Sequence, residues 1–279
     1  MTSPLDPDLT SAVQAFAAHP RVLVATDFDG VLAPLVLDPM DSRPVEGGMP
    51  ALTDLAALPG VTVALVSGRA LAPLRQLSEA RDPLVLIGSH GVEDSRHTDG
   101  LALDEDQHAL LETLAQEVEA LAERHPGVRV EDKPAGRVVH TRGLPAQEGK
   151  DALAEAAALA ERHTSLVVTP GKEVVELAVA HVGKGAALLA LADDLDADAV
   201  FYAGDDLTDE HGFAALADDT DTARAGRRLT VRVGDGETRA GFRVADEEAV
   251  VELLVALVAA RRSAGRSVSP APDRSTAGG

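Results

Sequence analysis

Asp27-Phe28-Asp29-Gly30 directly follows the apolar run Val22-Leu23-Val24-Ala25, so two carboxylates two residues apart leave the end of what reads as a buried strand. Side chains alternate along an extended chain, which puts Asp27 and Asp29 on one side and turns Phe28 into packing. Two like charges this close repel, and a hard divalent cation such as magnesium is the usual means of keeping both ionised. The segment reads as a magnesium-dependent phosphoryl-transfer site. Taken by itself it is equally a turn with helix-capping aspartates.

Three later segments weigh against the plain turn. The run Val61 to Val66 reads as a second buried strand and ends in Ser67-Gly68-Arg69, where a hydroxyl and free backbone amides suit a phosphate oxygen. Gly183-Lys184-Gly185 opens an Ala/Leu-rich helical stretch, and a cation in the first turn of a helix is disfavoured unless an anion partners it. The run Ala199 to Ala203 leads into Gly204-Asp205-Asp206-Leu207-Thr208-Asp209-Glu210, a third strand end dense with carboxylates. In an open parallel sheet the functional crevice lies at the carboxyl ends of the strands, and all four segments fall there or at the adjoining helix starts. Asp205, Asp206 and Asp209 have an alternative reading as a solvated helix cap, yet three acids after an apolar strand need compensation.

The order D-x-D-G, S-G-R, lysine, G-D-D-x-T-D resembles the haloacid dehalogenase-like phosphatases. Gly88-Ser89-His90-Gly91-Val92-Glu93, Glu131-x-Lys133, His140-x-Arg142, the run Pro170 to Leu177, and Gly234-x-Gly236-x-Thr238-x-Ala240 narrow the likeness. Together they are similar to the trehalose-6-phosphate phosphatase family, over roughly residues 20 to 258. The resemblance implies Asp27 as nucleophile and Asp29 as acid and base, with a magnesium ion on the Asp27 carboxylate, the Asp29 backbone carbonyl and Asp205. Asp206 and Asp209 would support that shell. It further implies that Ser67, Gly68, Arg69 and Lys184 bind the phosphate, and that Glu131, Lys133, Lys172 and Glu176 contact the sugar. His90 falls where core meets cap, and could equally be a satisfied loop histidine. Glu131 and Lys133 alone would read as an exposed charge pair on a strand. Two positions depart from the family pattern: Val31 stands where threonine is usual, and Ala178-Val179 follow Glu176-Leu177 where arginine and proline are frequent.

The elements that must position these residues alternate. Strands near 22–26, 61–66 and 84–88 are separated by helical stretches at 50–58 and 70–80, after a loose helix in residues 1–20 ended by Pro20. The rhythm changes over 91–180: a hairpin at Thr98-Asp99-Gly100, a helix near 105–125, strands near 128–132 and 137–141, a helix near 147–163, and strands near 166–169 and 173–178. The first rhythm then resumes with helix 184–194, strand 199–203, helix 208–217, strand 229–233 and helix 247–262. The expected fold is α/β: a Rossmann-like parallel-sheet hydrolase core (1–90 and 181–262) with an inserted α+β cap (91–180). From Ser263 onward the Ser/Pro/Gly/Arg-rich tail reads as disordered.

Composition excludes more than it selects. The 279 residues are 45% apolar but only 2% aromatic, so Ala, Leu and Val must build the interior. There is no cysteine, which removes disulfides and thiol chemistry. No signal-peptide pattern or membrane-length apolar run is present, so a cytoplasmic protein is expected. A formal net charge of -21 opposes nucleic acid and anionic membranes, and equally opposes an anionic sugar phosphate unless a local basic pocket receives it. Only four of the 25 basic residues are lysines, and Lys133, Lys172 and Lys184 all lie in the motifs above; the fourth is Lys150. A small-molecule sugar phosphate is the expected partner, with a monomer favoured. Sucrose 6-phosphate or a glycosyl phosphoglycerate remains an alternative substrate, and a catalytically silent phosphosugar-binding module a more distant one.

Overall fold

The computed structural model describes residues 6–97, 103–180, 183–220 and 226–267. The chain forms two compact units, one of Met1–Val66 with Pro73–Val85 and Lys184–Gly279, the other of Ser67–Ala72 with Leu86–Gly183.

The first unit is built on consecutive βα alternation. Helix α1 (Pro7–Ala17) precedes β1 (Val22–Thr26), α2 (Gly48–Ala56), β2 (Val61–Val66) and α3 (Leu71–Ser78). After the second unit come α7 (Lys184–Asp194), β9 (Ala199–Gly204), α8 (Leu207–Asp218), β10 (Arg228–Val233), β11 (Phe242–Val244) and α9 (Glu247–Ser267). Strand β1 is central, parallel to β2 with Thr26 opposite Leu65 and parallel to β9 with Thr26 opposite Ala203. β1 is buried at every residue and β9 likewise, as their unbroken apolar runs require of strands covered on both faces. Within this unit the strand order is β11-β10-β9-β1-β2, while β3 (Val85–Gly88) and β4 (Glu93–Asp94) pair antiparallel. Parallel register brings the ends of β1 and β9 level, so Asp27 and Asp205 leave the same edge.

The second unit carries α4 (Glu105–Arg124), β5 (Arg129–Lys133), β6 (Gly136–His140), α5 (Ala146–Ala157), α6 (Leu159–Arg162), β7 (Val167–Gly171) and β8 (Val174–Ala178). Its antiparallel sheet runs β5-β6-β8-β7, with α4 against β6 and α5 against β8. The helices bury Leu114, Val118, Leu121, Ala156 and Leu159 onto Val139, Val175 and Leu177. Helix α4 starts in a reciprocal capping box, Asp104 with Gln107, and its buried Leu114, Val118 and Leu121 recur at helical spacing. The unit is a duplicated helix-strand-strand element, and the sequence repeats with it. Leu121-Ala122-Glu123-Arg124-His125 ends α4 and Leu159-Ala160-Glu161-Arg162-His163 ends α6. Each Arg-His pair grips one glutamate: Arg124 and His125 hold Glu155, while Arg162 and His163 hold Glu117 at 2.9 Å each.

Two expectations change. The helix expected over 147–163 breaks at Ala158 into α5 and α6. The tail expected to be disordered from Ser263 is helical as far as Ser267, where α9 ends. The hairpin at Thr98-Asp99-Gly100 lies outside the described residues.

Arg261 donates to the carbonyls of Ala17 and Pro59, at 2.8 and 2.7 Å, and to those of His19 and Pro20. One guanidinium thus ties α9 to the turns that precede β1 and β2. Arg261→Ala leaves these carbonyls to water or to nothing, and about 2 kcal/mol of stability is expected to go with it. Urea denaturation checks this, and a loss below about 0.5 kcal/mol would contradict the anchoring role.

Candidate active site

Asp27 is the first residue past β1, and its amide donates to the Ala203 carbonyl at 2.9 Å, which continues the β1 to β9 ladder one residue beyond both strands' last pair. Its carboxylate is buried, with Oδ1 accepting from the Phe28 amide at 2.6 Å and Oδ2 from Lys184 Nζ at 2.7 Å. Lys184 opens α7 and is itself 1% exposed. Its ammonium also donates to Asp209 Oδ1 at 2.8 Å. The anion expected beside a lysine at a helix start is therefore, in part, the chain's own pair of carboxylates. Burial works against the Lys184 charge, but Asp27 and Asp209 outweigh it and hold the ammonium firmly protonated.

Asp209, expected to support the metal shell, is hydrogen-bonded so as to hold the loop that carries Asp205. Its Oδ1 accepts from Lys184 and from the Tyr202 hydroxyl, and its Oδ2 from the amides of Asp205 and Asp206 at 2.9 and 3.1 Å. Those four donors occupy the four acceptor positions of a carboxylate. Asp209 is fully buried and shapes the loop that carries Asp205. Asp206 in turn caps α8, accepting the Asp209 amide at 2.9 Å in a second reciprocal box. Sequence reasoning missed Tyr202, although it is the chain's one tyrosine and immediately precedes the acidic segment.

Asp205 is half-buried and lies against Gly30. A Cβ at Gly30 would come within 2.1 Å of Asp205 Oδ2, and Gly30 adopts φ +70°, so this position needs glycine for two reasons. Asp29 accepts a hydrogen bond from the buried Ser42 hydroxyl at 3.0 Å.

Asp27, Asp205 and Asp209 offer oxygens within 4.8 Å of one another. Since Asp209 is saturated by donors, Asp27 and Asp205 are the carboxylates open to an ion. An all-oxygen donor set suits a hard cation of the magnesium type. Electrostatics agrees. Desolvation, with Asp209 adding to it, pushes Asp27 up to about 7 despite Lys184, and desolvation with Asp209 and Asp206 pushes Asp205 up to about 6. This site is short of positive charge, and a divalent cation fits the deficit.

In the second unit, Ser67 is buried and its hydroxyl accepts the Arg69 amide at 3.2 Å. The His90 amide donates to the Ser67 carbonyl at 3.0 Å, and the His90 ring lies over Gly68, where a Cβ would meet its Cε1 at 2.6 Å. Both Ser89 and His90 have positive φ. Gly68, His90, Lys133, Thr169 and Glu176 line one cavity of about 340 Å³. That cavity's lining does not include Arg69, Glu131 or Lys172. Glu131 is exposed and pairs with Lys133 at 2.9 Å and His140 at 3.0 Å, while Lys172 sits exposed at the tip of the β7–β8 hairpin.

A parallel α/β sheet with acidic loops at the carboxyl ends of its central strands, together with a separate α+β unit, is the fold of the haloacid dehalogenase-like phosphatases. Within that class the chain belongs to the trehalose-phosphatase family, whose profile matches residues 25–248. It is 37% identical over 218 residues to the trehalose-phosphate phosphatase of Mycobacterium avium, covering 75% of this chain and 54% of that protein. It is 34% identical over 247 residues to the bifunctional trehalose-6-phosphate synthase/phosphatase of Thermoproteus tenax, covering 86% and 32%. The chain thus spans about half the length, or less, of these curated relatives. The solved Aspergillus fumigatus trehalose-6-phosphate phosphatase aligns with a TM-score of 0.69 at 25% identity, over 93% of this chain and 99% of that one. Among the described residues no helix is long and apolar enough to cross a membrane.

Because Asp27 and Asp205 hold their protons more tightly folded than unfolded, the metal-free protein has that stability in full below about pH 4 and loses it as pH rises through about 7. A cation that binds the ionised pair restores it. Magnesium is therefore expected to raise the melting temperature more at about pH 8 than at about pH 5.5. Differential scanning fluorimetry checks this, and an equal rise at both would contradict it.

Proposed function

We propose that this protein hydrolyses trehalose 6-phosphate to trehalose and phosphate. The observation that carries the reading is the buried Asp27 carboxylate at the end of β1, held by Lys184 at 2.7 Å and grouped with Asp205, in a chain of the trehalose-phosphatase family.

Asp27 is the nucleophile. Lys184 favours the charged form of the Asp27 carboxylate and aims it, against the burial that strips it of water. Asp27 attacks phosphorus while Asp29 gives a proton to the departing sugar oxygen, leaving an aspartyl-phosphate on Asp27. Asp29, now a base, takes a proton from the water that hydrolyses this intermediate. Magnesium would be held by the Asp27 and Asp205 carboxylates and the Asp29 carbonyl, and would supply positive charge against the phosphate oxygens. Ser67, Gly68 and Arg69 offer a hydroxyl, backbone amides and a guanidinium for those oxygens, and Lys184 adds its charge.

Residues 91–180 act as a cap that reads the sugar. Lys133, Glu176 and His90 on one cavity supply donors and acceptors suited to sugar hydroxyls, and Glu131 steadies Lys133 from the same strand. Lys172 serves from the hairpin tip.

Asp27→Asn is expected to abolish phosphate release with the fold intact by circular dichroism; turnover near the wild-type rate would refute the nucleophile. Glu176→Ala is expected to lower kcat/KM for trehalose 6-phosphate at least about tenfold more than for p-nitrophenyl phosphate, as loss of a polar contact to the sugar alone requires. Equal losses on both would refute the sugar-reading role.

A further inference from the structure

The segment between β1 and α2 is unusual in what it exposes and what it buries. Leu35 and Leu37 are 72% and 106% exposed and Met40 is 43% exposed, yet Ser42 in the same loop is fully buried. An apolar loop that turns its leucines outward and its serine inward is organised around the serine's partner. That partner is Asp29, whose Oδ1 accepts the Ser42 hydroxyl at 3.0 Å.

The loop is built to hold this contact. Asp38 caps the short turn Pro39–Asp41, accepting from the Met40 amide at 2.9 Å. Arg43 folds back on the loop and donates to the carbonyls of Met40 and Ser42 at 2.9 and 2.7 Å. The Val45 amide bonds the Leu32 carbonyl at 2.8 Å, which returns the chain to the turn after Asp29. On the near side of that turn Val31 is fully buried and offers no hydroxyl. Ser42 provides one.

We propose that Ser42 is a positioning residue for the acid step. The inference rests on the assignment of Asp29 as general acid. The Ser42 hydroxyl, 3.0 Å from Oδ1, ties that oxygen of the carboxyl in place. The donor also fixes the rotation of the carboxyl, and proton transfer depends on that orientation. As the phosphorus–oxygen bond breaks, the carboxyl proton of Asp29 passes to the departing sugar oxygen, and Asp29 is left as a carboxylate that the Ser42 hydrogen bond stabilises.

The test compares leaving groups, since a sugar alkoxide needs a proton to depart and p-nitrophenolate does not. For Ser42→Ala, kcat/KM with trehalose 6-phosphate is expected to fall about tenfold to a hundredfold, the worth of one hydrogen bond to a charged group. With p-nitrophenyl phosphate it is expected to stay within about threefold. Ser42→Thr, which keeps the donor, should restore sugar-phosphate turnover. Equal losses on both substrates, or no loss on either, would overturn the proposal. Should Ser42→Ala not fold, Ser42→Cys, a weak donor of similar size, carries the same comparison with the same two outcomes. Asp29→Asn is measured alongside: if it keeps turnover of the sugar phosphate, the acid assignment itself fails, whatever Ser42 does.

Discussion

One buried ammonium organises the candidate site of this protein. Lys184 sits between two carboxylates, Asp27 and Asp209, with almost no access to solvent. Each of the three would be costly to bury alone, and together they are tolerable because every charge has a partner at hydrogen-bond distance. The consequences spread outward through the hydrogen bonds. Asp209, fixed by Lys184 and Tyr202, fixes the amides of Asp205 and Asp206 in turn. That sets where Asp205 projects, and the absence of a side chain at Gly30 gives it room. The arrangement still holds more negative charge than positive, since Asp27 and Asp205 remain hard to ionise. The unbalanced part is the part a cation and a phosphate would use.

Much of this was legible in the sequence, for physical reasons that can be named. Apolar runs without polar interruption marked β1 and β9 because strands covered on both faces cannot tolerate one. Carboxylates directly after such runs marked the sheet edge, and Asp27, Asp205 and Lys184 meet there. The hydrogen-bond partners of Asp209 were not legible. Spacing gives an acid near a metal and an acid saturated by backbone amides the same appearance, and only the four donors around Asp209 separate them. Ser42 was hidden for a related reason: a serine in a Pro-rich loop reads as a turn residue until its partner, 13 positions earlier, is known. Helix limits were right where a cap fixed them, as at Asp104, and wrong at α9, where the composition after Ser263 suggested disorder but backbone bonding extends the helix to Ser267.

The second unit follows a different economy. Its helices and strands are a duplicated element, and the repeated Leu-Ala-Glu-Arg-His at 121–125 and 159–163 places equivalent Arg-His clamps on Glu155 and Glu117. These clamps are partly exposed, so each adds little, and the unit's stability rests on the Leu and Val layer between helices and sheet. The outer strand β5 is exposed throughout and carries Glu131 and Lys133. A rigid apolar layer that holds a polar strand surface is what a sugar-binding element needs, because hydroxyl recognition depends on polar groups fixed in place.

On the function proposed above, the site is that of a magnesium-dependent phosphatase and the α+β unit selects trehalose 6-phosphate. Both halves of that statement meet in one experiment: inorganic phosphate release, with magnesium and with chelator, across trehalose 6-phosphate, glucose 6-phosphate, sucrose 6-phosphate and glucosyl-3-phosphoglycerate. The expected result is magnesium-dependent release with trehalose 6-phosphate strongly preferred. Release from another member of the set in preference, or undiminished release in chelator, would contradict it.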